Sequence, residues 1–97
     1  MLFTAVYTPK GTATEESQKR SLQLFASWNP PFEFRAHYAR ADGRGGVAVF
    51  EADDPAVVME GILPFTPFFD FDVAPAVDIQ AAVPVFQRVN DWRDSVR

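Results

Sequence analysis

The fold turns on one stretch, Glu33-Phe34-Arg35-Ala36-His37-Tyr38-Ala39-Arg40-Ala41-Asp42-Gly43-Arg44-Gly45-Gly46-Val47-Ala48-Val49-Phe50-Glu51-Ala52. Its first part alternates, with Phe34, Ala36 and Tyr38 on one side and Glu33, Arg35 and His37 on the other, the period-2 pattern of a half-exposed strand. Asp42-Gly43-Arg44-Gly45-Gly46 supplies turn chemistry. The apolar run from Val47 to Ala52 then returns as a second strand, continuous enough to predict a central strand covered on both faces. Together they read as a β-hairpin. Because the glycines join two strands, they are not a phosphate cradle, which needs a helix N-terminus after the loop.

Upstream, Leu2 to Thr8 is rich in β-formers and stops at Pro9-Lys10-Gly11, which predicts a first strand. Thr12 and Glu15 have capping-box spacing, and Leu22, Phe25 and Ala26 recur at helical intervals. A helix is therefore predicted from about Ala13 to Ser27, ended by Pro30-Pro31. Downstream, Asp54-Pro55 is an N-cap followed by proline at the first helical position, opening a short helix that Pro64 closes. Phe68 to Val73 alternates again, setting Phe69, Phe71 and Val73 against Phe68, Asp70 and Asp72. Asp78 caps a last helix expected to bury Val83, Phe86 and Val89, with Pro84 predicting a start or restart near Val83. The order is β-α-β-β-α-β plus a C-terminal helix, the split-βαβ or ferredoxin-like plan of the α+β class. Its sheet order, 4-1-3-2, puts the His37 and Asp70 strands on opposite edges, about 14 Å apart at ~4.8 Å per strand step.

Composition sets limits on function. Ninety-seven residues suit one domain, here 1–97. Net charge is −4 and no Lys/Arg cluster exists, which speaks against nucleic-acid binding. The absence of Cys removes disulfides and thiolate chemistry. No apolar run approaches a membrane span, and the N-terminus reads as a strand and not a signal peptide, so a cytoplasmic location is expected. Ten Phe, two Trp and two Tyr exceed what a one-layer core readily hides, so some rings are expected at a subunit interface.

The segments His37 to Gly46, Glu51-Ala52-Asp53-Asp54-Pro55 and Phe71-Asp72-Val73-Ala74-Pro75-Ala76-Val77-Asp78, with Trp28-Asn29-Pro30-Pro31, together carry a resemblance. They resemble an uncharacterised bacterial family of short proteins, catalogued as a domain of unknown function. That family is similar to the dimeric α+β barrel superfamily, in which two ferredoxin-like protomers pack sheet against sheet. The chain departs from the pattern at Leu63-Pro64-Phe65-Thr66-Pro67, where a Trp-containing helix end is common. The resemblance implies a fold and a homodimer, and no activity.

Among candidate chemical groups, His37 is the only histidine and the only side chain whose ordinary pKa lies close to neutral, so it is the candidate general base. Tyr7, Arg35, His37 and Tyr38 are the candidate ligand contacts. The bland readings are a strand histidine satisfied by solvent, and tyrosines that serve the core or an interface. One His among scattered carboxylates has no metal-ligand spacing, so neither a metal nor a cofactor is expected. Asp70 and Asp72 share a strand face and read as a solvated edge or an inter-subunit ion pair. The leading expectation is a homodimeric protein of unknown function that binds a small, largely apolar ligand or serves as an accessory protein. The alternatives are a cofactor-free enzyme, monooxygenase- or cyclase-like, using His37, and a structural interaction module with no pocket.

Overall fold

The computed structural model describes residues 1–97. Its elements run β1 (Leu2–Pro9), α1 (Glu15–Ser27), β2 (Glu33–Ala39), β3 (Gly46–Glu51), α2 (Pro55–Ile62), a 3₁₀ turn (Leu63–Phe65), β4 (Phe69–Pro75) and α3 (Ile79–Ser95). The four strands form one antiparallel sheet in the order β2-β3-β1-β4. This small α+β fold is compatible with the ferredoxin-like plan.

The predicted hairpin forms, with Gly43 (φ 76°) and Gly45 (φ 89°) in the left-handed region that its turn requires. The Arg40 amide donates to the Gly45 carbonyl at 2.8 Å and closes it. The first cap lies two residues later than the sequence suggests. The Ala13 amide donates to the Lys10 carbonyl, which folds Thr12 into a turn and makes Thr14 the N-cap. Thr14 Oγ1 accepts from the Ser17 amide at 3.1 Å, and Ser17 Oγ accepts from the Thr14 amide at 2.8 Å. A Thr-x-x-Ser box thus replaces the expected Thr-x-x-Glu. Asp54 caps α2 as predicted, accepting from the Val57 amide, with Pro55 at the first position.

One face of the sheet carries the core. Phe3, Ala5, Ala48 and Phe50 from the two central strands pack with Ala52 and Val58, and Phe50 is 1 % exposed. Phe32 stacks on Phe50 with ring centroids 4.2 Å apart. It fits there because Gly61 of α2 has no side chain, and a Cβ at that position would collide with its ring. The other face is open, so the expectation that β3 is covered on both sides is not met within the chain. Val47 of β3 and Val6 of β1 pair across this face, both exposed, and Tyr38 follows on β2. Nothing else in the chain reaches this face: α1 and α2 lie on the core side, and α3 leaves the sheet altogether.

That departure of α3 is the largest difference from expectation. Val83, Phe86 and Val89 are exposed, α3 buries no residue, and it packs along no other element. It is also continuous through Pro84. A proline there removes one backbone hydrogen bond, and in an exposed helix the freed carbonyl can turn to water. The chain consequently extends 58 × 28 × 22 Å, with a radius of gyration of 17.3 Å, against about 13 Å for a compact domain of this length. No helix is long and apolar enough to cross a membrane.

Candidate functional site

Where α1 crosses the core face it does not close onto the sheet, and a cavity of about 400 Å³ lies between them. Seven of the chain's ten phenylalanines line it. Trp28 from the end of α1 and Phe65 from the 3₁₀ turn meet edge to face, centroids 5.0 Å apart, and form one wall. Phe69 and Phe71 of β4 lean on Tyr7 at 5.3 and 5.8 Å and form another. Leu22 and Phe25 of α1 stand at the rim, both substantially exposed. The size lies within the range of small-molecule sites, and such sites are mostly apolar with a few placed polar groups.

Those polar groups are Tyr7, His37 and Ser21 of α1, and the Ser21 hydroxyl already donates to the Gln18 carbonyl at 2.8 Å. Tyr7 Oη and His37 Nε2 lie 2.8 Å apart. The phenol donates to Nε2 when the imidazole carries its proton on Nδ1, and accepts from Nε2 in the other tautomer. His37 also stacks on Phe34, with centroids 4.8 Å apart and planes within 10°. Burial holds the His37 imidazole below its ordinary pKa and the Tyr7 phenol above its own. Both shifts favour the neutral forms, so at pH 7 this is a hydrogen-bonded pair without formal charge.

His37 reaches the cavity through a β-bulge. The β2–β3 register runs Phe34 to Phe50, then Ala36 to Val49 and His37 to Ala48. Arg35 is the extra residue, so Phe34 and His37, three apart in sequence, share one face. The sequence alternation put Phe34 with Tyr38 and His37 with Arg35, and the bulge overturns that grouping. Of the four candidate residues, the structure brings Tyr7 and His37 together and leaves two outside the cavity. Arg35 lies at the sheet edge, Nη2 3.8 Å from Glu51 and Nη1 4.0 Å from Glu33. There it faces two glutamates that oppose each other across the β2–β3 ladder. Tyr38 lies on the open face, 68 % exposed, opposite Val47. Asp70 and Asp72 are on β4, the opposite edge from β2, and Lys10 donates to Asp70 at 2.9 Å.

Sequence reasoning passed over Gly46, treating it only as part of the turn. A Cβ there would lie 2.6 Å from Tyr7 Oη and 2.9 Å from Tyr7 Cζ, and would also strike the Tyr38 carbonyl. Gly46 therefore makes the room in which the Tyr7 ring lies. A glycine opening a β-strand is the one available signal of such a close approach. The aromatic excess was visible, but which rings gather around one space depends on the bulge and on the height of α1 above the sheet.

A comparison with curated proteins finds no match. The family model described as "Domain of unknown function (DUF3303)" matches residues 1–90, and the chain belongs to that family.

Proposed function

We propose that the protein binds a small, largely apolar molecule in the cavity under α1, with one polar group of that molecule directed at Tyr7 and His37. The observation that carries this reading is the 2.8 Å Tyr7–His37 pair set in a mostly apolar, aromatic-rich wall. Apolar burial would supply most of the affinity, and the pair would orient the ligand. Naphthol and naphthalene are suitable probes, differing only by a hydroxyl. Calorimetric titration should show naphthol binding about fivefold more tightly, the worth of one neutral hydrogen bond of about 1 kcal/mol. Tyr7→Phe combined with His37→Phe should erase the difference and leave naphthalene unaffected. Leu22→Trp, a substitution at the exposed rim, should weaken both probes. If neither probe binds, or if Leu22→Trp leaves both affinities unchanged, the cavity is not a binding site.

The second reading is a cofactor-free enzyme with His37 as general base, and one feature favours it. Burial keeps the imidazole neutral at pH 7, the form that can accept a proton, and Tyr7 contacts the same nitrogen. Turnover of any substrate that survives His37→Ala undiminished removes it. On a separate observation, the uncovered apolar surface of α3, we also propose that the chain works as a homodimer.

A further inference from the structure

Two apolar surfaces of this chain lack cover, and within one copy they do not pack on each other. The first is α3. At ~100° per residue, Ala82, Val85, Phe86, Val89 and Trp92 share one side of the helix. The last four are 38–65 % exposed. The second is the open face of the sheet, where Tyr38, Val47 and Val6 stand in one cross-strand row. α3 follows β4 and packs along no other element, which gives the chain its 58 Å extent.

The chain exposes 7360 Å², about 1,800 Å² more than the roughly 5,600 Å² expected of a compact monomer of 10.9 kDa. A standard interface removes about 800 Å² from each partner. The excess therefore suffices for such an interface, and α3 and the open face are where its apolar part lies. Length agrees as well. Seventeen helical residues at ~1.5 Å each give about 25 Å, enough to cross a four-stranded sheet at ~4.8 Å per step. Charge agrees too. Arg93 is the charged residue set within the apolar side of α3 by the same 100° rule. The open face carries Asp72, which pairs with Val6 in the ladder and has no ion-pair partner in its own chain.

We infer that α3 is an exchanged arm: in a pair of identical chains, the α3 of each copy lies across the open sheet face of the other. The occupant of each face is a second copy because the same chain presents both complementary surfaces. Reciprocal exchange then closes with two-fold symmetry and leaves neither surface bare. This inference rests on the homodimer reading and adds to it which surfaces meet.

The test uses the full chain, which has no cysteine of its own. Tyr38→Cys with Val89→Cys in one chain should give a covalent dimer when treated with a short bismaleimide, and neither single variant should. Phe86→Asp with Val89→Asp should convert the dimer to monomer in light scattering while circular dichroism stays unchanged, because neither side chain is buried in its own chain. A dimer that survives those two aspartates, without any link from Tyr38→Cys to Val89→Cys, overturns the exchange and leaves the homodimer standing. A covalent dimer from Tyr38→Cys alone, meaning face against face, overturns the exchange in the same way. A parent chain that stays monomeric at every attainable concentration overturns both.

Discussion

Replacing Gly46 with alanine probes the link between backbone and site with a single carbon atom. The added Cβ would be placed 2.6 Å from Tyr7 Oη and 2.9 Å from Cζ, and against the backbone carbonyl of Tyr38. The phenol can swing away, but the carbonyl belongs to the β2–β3 ladder and cannot move without loosening it. Overpacking of this kind costs about 1–3 kcal/mol. Losing the Tyr7–His37 hydrogen bond costs about 1 kcal/mol more, and the stiffer unfolded chain returns about 0.4–1 kcal/mol. The net expectation is a loss of about 2 kcal/mol, a fall in Tm on the order of 10 °C for a chain of this size. Urea unfolding measures it, with Gly11→Ala as the control, since no atom lies within 4 Å of a Cβ there. The His37 imidazole resonances should shift in the Gly46 variant and stay in place in the control. If Gly46→Ala matches the parent within a few tenths of a kcal/mol and His37 is unmoved, the close approach does not position the pair.

Phe50→Ala should cost about 3–5 kcal/mol, because the ring is 1 % exposed and stacks between Phe3 and Phe32; against a total of about 5–15 kcal/mol, denaturant titration should show a barely folded chain. Arg35→Ala should change stability by at most about 1 kcal/mol, as its ion pairs are exposed, and should leave probe binding in the cavity unaltered. Stability should be greatest at intermediate pH. Unfolded histidine takes up a proton near 6.5 and folded His37 only below that, so the unfolded state binds more protons and stability falls as pH drops from 6.5 through the folded value. Unfolded tyrosine ionises near 10.0 and folded Tyr7 above it, so stability also falls as pH rises past 10. His37→Gln should remove the first loss and leave the second, read from urea midpoints across pH.

Much of the fold was legible because its signals are local. Asp54-Pro55 announces α2, the glycines of Asp42–Gly46 announce a hairpin, and Phe69, Phe71 and Val73 announce the inner face of β4. The strand order followed from topology. The site was half legible. Tyr7 and His37 were candidates by chemistry, but their meeting depends on Arg35 being the unpaired residue of β2, and nothing in Glu33 to Arg40 marks the position of a bulge. One extra residue reverses every side chain beyond it, so strict alternation assigns Tyr38 and His37 to each other's faces. Where α3 would go was not legible at all. Its spacing predicts an apolar side, and periodicity says only that such a side wants a partner, not whether the partner is in the same chain.

The two features that escaped the sequence bear on one another. A cavity lined by phenylalanines persists only if α1 stays off the sheet, and the core face by itself favours closure, since packing there would bury more of Leu22 and Phe25. What holds α1 away is bulky: Trp28 braced on Phe65, and Phe34 carrying His37 on its face. The bulge at Arg35 thus both delivers the imidazole and places the ring beneath it, so space and polar group arise from the same irregularity. Shifting that register by one residue would send His37 to the open face, where Tyr38 now lies. It would bring Tyr38 inward in its place and leave a hydrophobic pocket with two tyrosines and no imidazole. Pairing Tyr7 with His37 satisfies both groups and still leaves the phenol oxygen able to meet a further donor. That arrangement suits the orientation of one polar group among apolar walls better than it suits the strength of the core.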